Sequence, residues 1–172
     1  MRIFLTGFMG AGKTTVGRRL ADRLGLPFHD LDAHVEERAQ KSVREIFEQV
    51  GESGFRHLER ESLEALCALP ALVAATGGGT LTVQRNKDLI KRSGVSVWLH
   101  PKFAVIVERI GGLGKEDRPL FQDEVQAWKL YRERLPTYRG SDLRIDVEAF
   151  ERADEVAARI ALMIREHTAC DI

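Results

Sequence analysis

Apolar positions along the chain switch repeatedly between short continuous runs and runs spaced by three or four, as strands alternating with helices require. Ile3 to Thr6 predicts a short buried strand ending in a glycine-rich turn. Val16, Leu20 and Leu24 then recur every four residues until Gly25 stops the helix. Pro27 to Asp32 predicts a second strand that emerges into a polar end. Ser42 and Glu45 have the spacing of a capping box, Val43, Ile46, Phe47 and Val50 share one face, and Gly51 closes that helix. A helix from about Phe55 to Leu66 leads into Ala71 to Ala75, a continuous apolar run suited to the middle of a parallel sheet, with three glycines directly after it. Ser96 to Leu99 predicts another buried strand and Phe103 to Ile110 a helix. The Gly-rich, charged stretch that follows is a candidate mobile lid over about residues 111–122. A helix from about Asp123 to Leu135, a strand at Leu143 to Val147 and an amphipathic helix from Asp154 to about His167 complete the series. This alternation predicts an α/β fold: a mostly parallel central sheet with helices on both faces, a three-layer sandwich.

The chain has 172 residues, enough to bury roughly 70% of its surface around one core. It suits a single domain over residues 1–172 and leaves no room for two independent enzymatic domains. No internal repeat or low-complexity linker interrupts it. Lys and Arg number 26 and Asp and Glu 26, a formal net charge of zero, so no overall field draws the protein to nucleic acid or an anionic membrane, and anion recognition must be local. No stretch approaches the length of a membrane span, and the apolar run near the N-terminus is too short for a secretory leader. Cys67 and Cys170 lie far apart and read as free thiols in a reducing cytoplasm. Neither has a credible base partner, and His29, His34 and His57 lack metal-ligand spacing.

Gly7-Phe8-Met9-Gly10-Ala11-Gly12-Lys13-Thr14 fits G-x-x-x-x-G-K-[ST] and sits between a predicted strand and a predicted helix, where a phosphate-binding P-loop must sit. A chance match in such a chain arises on the order of once in a hundred. Glycines let backbone N–H groups curl around a phosphate at the positive end of the following helix. Gly10, Ala11, Gly12, Lys13, Thr14 and Thr15 are therefore the candidate residues for binding a nucleoside triphosphate, with Lys13 a point charge for the β- and γ-phosphates and the Thr14 hydroxyl a ligand for Mg²⁺. A P-loop by itself does not identify the acceptor. The run Ala71 to Ala75 ends in Thr76 and Gly77 where several ATPases place an aspartate, so a further anionic group on the Mg²⁺ side must come from another strand end. Asp30 and Asp32 are available, and their i, i+2 spacing puts both carboxylates on one side if the segment is extended.

Six blocks in order resemble the shikimate kinase family over nearly the whole length: GFMGAGKTTVGR from Gly7, DLD at Asp30 to Asp32, GESGFRHLE ending at Glu59, GGG at Gly77 to Gly79, RPLF at Arg118 to Phe121, and ERLPTY around Arg134. The resemblance implies a nucleoside-monophosphate-kinase-like fold, ATP and Mg²⁺, and transfer of the γ-phosphoryl group to the 3-hydroxyl of shikimate for aromatic amino acid biosynthesis. It implies Arg56 and Arg134 on the acceptor's carboxylate, Asp32 on the ring hydroxyls near the nucleophilic oxygen, and Asp30 on the magnesium side. It also implies Arg109 stacked on adenine. The residue chemistry agrees, since a small ring with one carboxylate and three hydroxyls calls for arginine and for an acceptor carboxylate. Glu59, one turn after Arg56, can hold the guanidinium and touch a hydroxyl. Gly78 and Gly79 let a substrate approach backbone amides. Arg118, in the lid, can fold over the phosphates, stabilise developing charge and exclude water. The substrate region is about residues 32–62, and Lys13, Asp32 and Arg118 are the catalytic candidates, with Asp32 orienting the acceptor hydroxyl and taking its proton late.

Standing alone, Arg56 and Glu59 read as an exposed ion pair, the three glycines as a tight turn, and Arg118 and Arg134 as solvated side chains. The ordered blocks favour the site. Two places depart from the family's pattern: Arg139-Gly140-Ser141-Asp142 follows Tyr138, and Ala153 stands where the loop on the adenine side often has proline. Rival readings are another small-molecule kinase, such as a gluconate kinase, and a binding protein that keeps the fold without turnover. The paired Asp32 and Arg56 blocks argue against the first, and intact Lys13, Thr14, Asp32 and Arg118 against the second. The remaining expectations are a cytoplasmic monomer with no nucleic acid or membrane partner.

Overall fold

The structure is a computed structural model that describes residues 1–111 and 123–169. Most of the predicted lid, with Arg118, and Cys170 lie outside those residues. The described elements run β1 (Arg2–Thr6), α1 (Lys13–Leu24), β2 (Phe28–Asp30), α2 (Leu31–Ala39), α3 (Val43–Ala68), β3 (Leu72–Ala75), a 3-10 turn (Thr80–Thr82), α4 (Gln84–Ser93), β4 (Val95–Pro101), α5 (Phe103–Gly111), α6 (Glu124–Tyr138), β5 (Leu143–Val147) and α7 (Ala153–Ala169). The five strands form one sheet in the order β2-β3-β1-β4-β5, and every pairing is parallel.

Side-chain alternation explains the layering. Ile3, Leu5, Val73, Val97, Leu99, Ile145 and Val147 point to one face and pack with Val16 and Leu20 of α1 and Val156, Ile160 and Ile164 of α7. Phe4, Leu72 and Ala74 point to the other face, against Leu63 and Leu66 of α3 and Ile90 of α4, and Trp98 packs there with Ile106 of α5 and Tyr131 and Tyr138 of α6. Both faces are covered, so the central strands are apolar on both sides, as a parallel sheet requires. A smaller cluster of Val35, Ile46 and Phe55 joins α2 to the first part of α3. Among the described residues no helix is long and apolar enough to cross a membrane.

Two features differ from the sequence reading, the end of the second strand and helix α4. The second strand ends at Asp30 rather than Asp32, because the Asp30 side chain accepts hydrogen bonds from the backbone N–H groups of Asp32 and Ala33 and starts α2 there. Gly51 closes the first helical segment as expected: with φ 68° and ψ −175° it breaks α3 into two helices that meet at a kink, and only a glycine takes that conformation without a steric cost. Helix α4 has no counterpart in the sequence reading, since its polar surface leaves only Leu89 and Ile90 to mark the buried side. The predicted capping box is present: Ser42 Oγ accepts from the Glu45 N–H, and Glu45 returns a carboxylate to the Ser42 N–H at 2.7 Å.

Gly17 on α1 lies so close to the sheet that a Cβ there would stand 2.5 Å from Phe28 Cε2 and 3.2 Å from Leu5 Cδ1. Gly17→Val should therefore lower unfolding free energy by about 1–3 kcal/mol, measured by urea denaturation. An unchanged midpoint would show that α1 can lift from the sheet without loss.

Candidate active site

The strand order brings three C-terminal strand ends side by side. β1 runs into the P-loop, β3 into Gly77 to Gly79, and β2 ends at Asp30. In open parallel sheets the crevice beyond these ends is where ligands bind. A cavity of about 740 Å³ lies there, lined by Lys13, Thr14, Asp30, Asp32, Arg56 and Glu59, together with the glycine segment, Arg109 and Arg134. Gly10, Gly12 and Thr15 also line it, while Ala11 is buried beneath. The structure thus brings together every predicted site residue within the described segments.

The P-loop is held against β4. At Gly7, with φ 137°, a Cβ would come within 2.5 Å of the Leu99 carbonyl oxygen, so only glycine fits. Gly12 occupies the N-cap of α1 with φ 96° and has no side chain to cover the first-turn amides, which leaves the positive end of the helix to an anion. Lys13 Nζ donates to the carbonyls of Gly7 at 2.8 Å and Phe8 at 2.9 Å, so its ammonium sits on the loop that would enclose a phosphate. Thr14 Oγ1 donates to Asp30 Oδ2 at 2.7 Å.

That hydroxyl and carboxylate are hard oxygen donors at the mouth of the loop, the type that Mg²⁺ prefers. Among the described residues no group of three or more His, Cys, Asp or Glu side chains could hold a metal. This donor set fits magnesium, which is usually bound through one or two protein oxygens together with substrate phosphates and water.

At the opposite wall, Arg56 Nη1 donates to Glu59 Oε2 at 2.9 Å. The Arg56 side chain is 20% exposed and that of Glu59 is fully buried. Glu59 Oε1 accepts from Thr80 Oγ1 at 2.7 Å, and Asn86 Nδ2 donates to the Thr80 carbonyl at 3.1 Å. Thr80 and Asn86 were not found from sequence, because each matters only through a fold contact. Asp32 lies alongside: a Cβ on Gly77 would sit 2.9 Å from Asp32 Oδ1 and 3.2 Å from Glu59 Oε1. Burial first, then the Asp30 carboxylate, pushes Asp32 up to about 6; Glu59 and Glu36 add to the rise and Lys13 opposes it. Glu36, which lines the cavity, also went unnoticed in the sequence, since α2 itself was not anticipated.

Arg134 of α6 reaches the same wall, with Nη1 3.3 Å from the position of a Cβ on Gly78 and its guanidinium 5.9 Å from the Phe8 ring centre. Arg56 Nη2 is only 2.5 Å from the Cβ position of Gly79. The two guanidinium groups therefore flank the glycine segment. Arg109 Nη1 donates to the Ala11 carbonyl at 3.2 Å, and Val147, Glu151, Ala153 and Val156 line the same cavity. The i, i+2 argument for Asp30 and Asp32 does not hold in its extended form. A strand end and a helix first turn, not one strand, present the two carboxylates to a common cavity.

Residues 9–165 match the family described as shikimate kinase. The chain belongs to the shikimate kinase family. A shikimate kinase of Geobacter sulfurreducens is 43% identical over 169 residues, 96% of this chain and 91% of the relative. The structure of shikimate kinase from Acinetobacter baumannii in complex with shikimate superposes with a TM-score of 0.90 and 36% identity, covering 96% of this chain and 93% of that one. A gluconokinase from Sinorhizobium meliloti, at 20% identity and a TM-score of 0.63 over 96% of both chains, shares the fold alone. The activity is ATP-dependent phosphorylation of shikimate, and both the parallel α/β sheet expected from the strand-helix alternation and the P-loop kinase fold implied by the resemblance are present.

Glu59→Ala leaves the Arg56 guanidinium and the Thr80 hydroxyl without their shared carboxylate. It should cost about 2–4 kcal/mol of stability, below the largest values for broken buried pairs because Arg56 retains some solvent. Chemical denaturation checks this, and a loss under half a kcal/mol would mark the pair as solvated.

Proposed function

We propose that the cavity aligns the terminal phosphate of ATP, over the P-loop, with the 3-hydroxyl of shikimate, held between Asp32 and the two guanidinium groups. The observation that carries this reading is the placement of Asp32 and Glu59 beside Gly77, between the P-loop on one side and Arg56 and Arg134 on the other. Arg56 and Arg134 take the shikimate carboxylate, and the backbone N–H groups of Gly78 and Gly79 add to that grip. Glu59 fixes Arg56 and accepts from a ring hydroxyl. Gly10, Ala11, Gly12, Lys13, Thr14 and Thr15 hold the ATP phosphates, and Arg109 packs on the base. The structure of the Acinetobacter baumannii enzyme in complex with shikimate supports assigning an acceptor pocket to this fold.

Phosphoryl transfer through a loose transition state calls for alignment and charge neutralisation more than for a strong base. Thr14 and Asp30 would hold Mg²⁺, which when bound supplies positive charge to the phosphate oxygens. Lys13 adds its charge from the loop, and Arg118, outside the described residues, is assigned to the same task from the lid. Asp32 orients the acceptor hydroxyl and receives its proton late in the transfer, and an elevated pKa lets it hold that proton near neutrality. The 172 residues act as one domain. The fold carries no surplus charge for nucleic acid, and we assign the protein to the cytoplasm as a monomer.

The pH behaviour follows from Asp32. Its ionised form is the acceptor of the proton, so kcat/KM for shikimate should rise with pH through an apparent pKa near 6 and level off above it. A limb near 4 would remove Asp32 from that role. The folded state also holds the Asp32 proton more tightly than the unfolded chain. Stability from this group is therefore full below about pH 4 and is lost as pH rises through 6. Asp32→Asn should thus stabilise the ligand-free protein at pH 8 by about 1–3 kcal/mol while lowering kcat at least a hundredfold. A kcat within tenfold of the parent, with shikimate still bound, would defeat the assignment.

Arg56→Ala or Arg134→Ala should each raise KM for shikimate far more than KM for ATP, on the order of a hundredfold against less than threefold. Release of ADP with shikimate, with gluconate and with no acceptor, each with and without Mg²⁺, tests the whole reading. Turnover on gluconate alone would transfer the protein to the rival class, and no turnover on either acid would favour the binding-protein reading.

A further inference from the structure

The last turn of α6 does more than deliver Arg134. Tyr138 lies one helical turn beyond it, so both side chains leave the helix on the same side. The Tyr138 ring is buried, at 1% exposure, in the cluster with Phe8, Trp98 and Ile106. Its hydroxyl donates to the Gly78 carbonyl at 2.5 Å, and Arg134 Nη1 lies 3.3 Å from the position of a Cβ on the same glycine. The Tyr138 hydroxyl and the Arg134 guanidinium therefore converge on Gly78, three groups from two segments far apart in the chain. The described residues contain no cis peptide, so the N–H of Gly79 points away from the Gly78 carbonyl within the same peptide plane. Fixing that carbonyl fixes the direction of the Gly79 N–H. Glycine makes such a lock necessary, because residues without Cβ permit peptide-plane rotations that other residues resist. Room at this wall is set by contact, since a Cβ on Gly79 would collide with Arg56.

We propose that Tyr138 is a positioning residue for acceptor recognition: its hydroxyl locks the Gly78–Gly79 peptide plane beside the Arg134 guanidinium, which makes one rigid receptor for the shikimate carboxylate. This rests on the reading that Arg56, Arg134 and the Gly79 N–H bind that carboxylate. Tyr138 touches neither substrate and acts through the groups it holds. Preorganisation of this kind is felt in acceptor binding rather than in the bond-making step, because the carboxylate is remote from the transferred phosphoryl group.

The test is Tyr138→Phe, which keeps the ring in its cluster and removes the hydroxyl. Two substrates are compared: shikimate, and the analogue carrying a hydroxymethyl group in place of the carboxylate. KM for shikimate should rise about tenfold, the loss expected for one buried hydrogen bond, with kcat and KM for ATP within about twofold and kcat/KM for the analogue unchanged. A purely structural role would depress both substrates alike, and that result overturns the proposal. So does a variant whose preference for shikimate over the analogue matches the parent's. If the parent itself shows no such preference, the carboxylate reading falls and the proposal with it, an outcome distinguishable from the failure of Tyr138 alone. Should the variant not fold, the parent still decides. The Gly79 amide proton must move downfield on saturation with shikimate, and an unmoved resonance overturns the proposal.

Discussion

All-parallel pairing of the sheet is the constraint on which the site depends. Because β2, β3 and β1 lie side by side and point the same way, their C-terminal ends open onto one crevice, and each contributes a different chemistry. β1 gives an anion-binding loop, β2 a capping carboxylate and β3 a run of glycines. None of these would meet if one strand were reversed. The apolar faces that make the pairing worthwhile, sealed by α1 and α7 on one side and by α3 to α6 on the other, are far from the chemistry in role though close in space.

A site built on this frame has to manage dense charge of both signs within a protein of zero formal charge. Asp30, Asp32 and Glu59 face Lys13, Arg56 and Arg134 around a single cavity. Some of that charge is neutralised within the protein. Glu59 is tied to Arg56 and Thr80, and Asp30 accepts from Thr14 and the first amides of α2. Asp32 has no such compensation in its pKa balance beyond the pull of Lys13, so burial and its acidic neighbours keep it proton-hungry. Structural and reactive carboxylates are separated by their hydrogen bonds rather than by residue type. The cost of holding Asp32 in this state falls on stability, a trade that active sites commonly make.

Much of this was legible from residue order. Val16, Leu20 and Leu24 marked α1, Ser42 and Glu45 the start of α3, and the P-loop announced itself by position between strand and helix. Other parts were not. Leu31 and Val35 carry too little apolar periodicity to reveal α2 beside a segment that reads as a strand, and the polar surface of α4 concealed it. Glu36, Thr80 and Asn86 are ordinary residues in the sequence. Tyr138 lay inside a recognised block, yet its partner, the Gly78 carbonyl, is 60 residues away and is a backbone atom that no residue pattern encodes.

The sequence by itself determined the five strands, most of the helices, the phosphate loop and the family, because periodicity, glycine spacing and ordered motifs are local and survive without coordinates. Only the tertiary structure decided which carboxylate caps a helix and which is left proton-hungry, and that a tyrosine hydroxyl holds a glycine peptide beside an arginine. Such outcomes depend on burial and on distances between groups remote in the chain, where small displacements make or break a hydrogen bond. Those quantities come into being when the strands pair and the layers close.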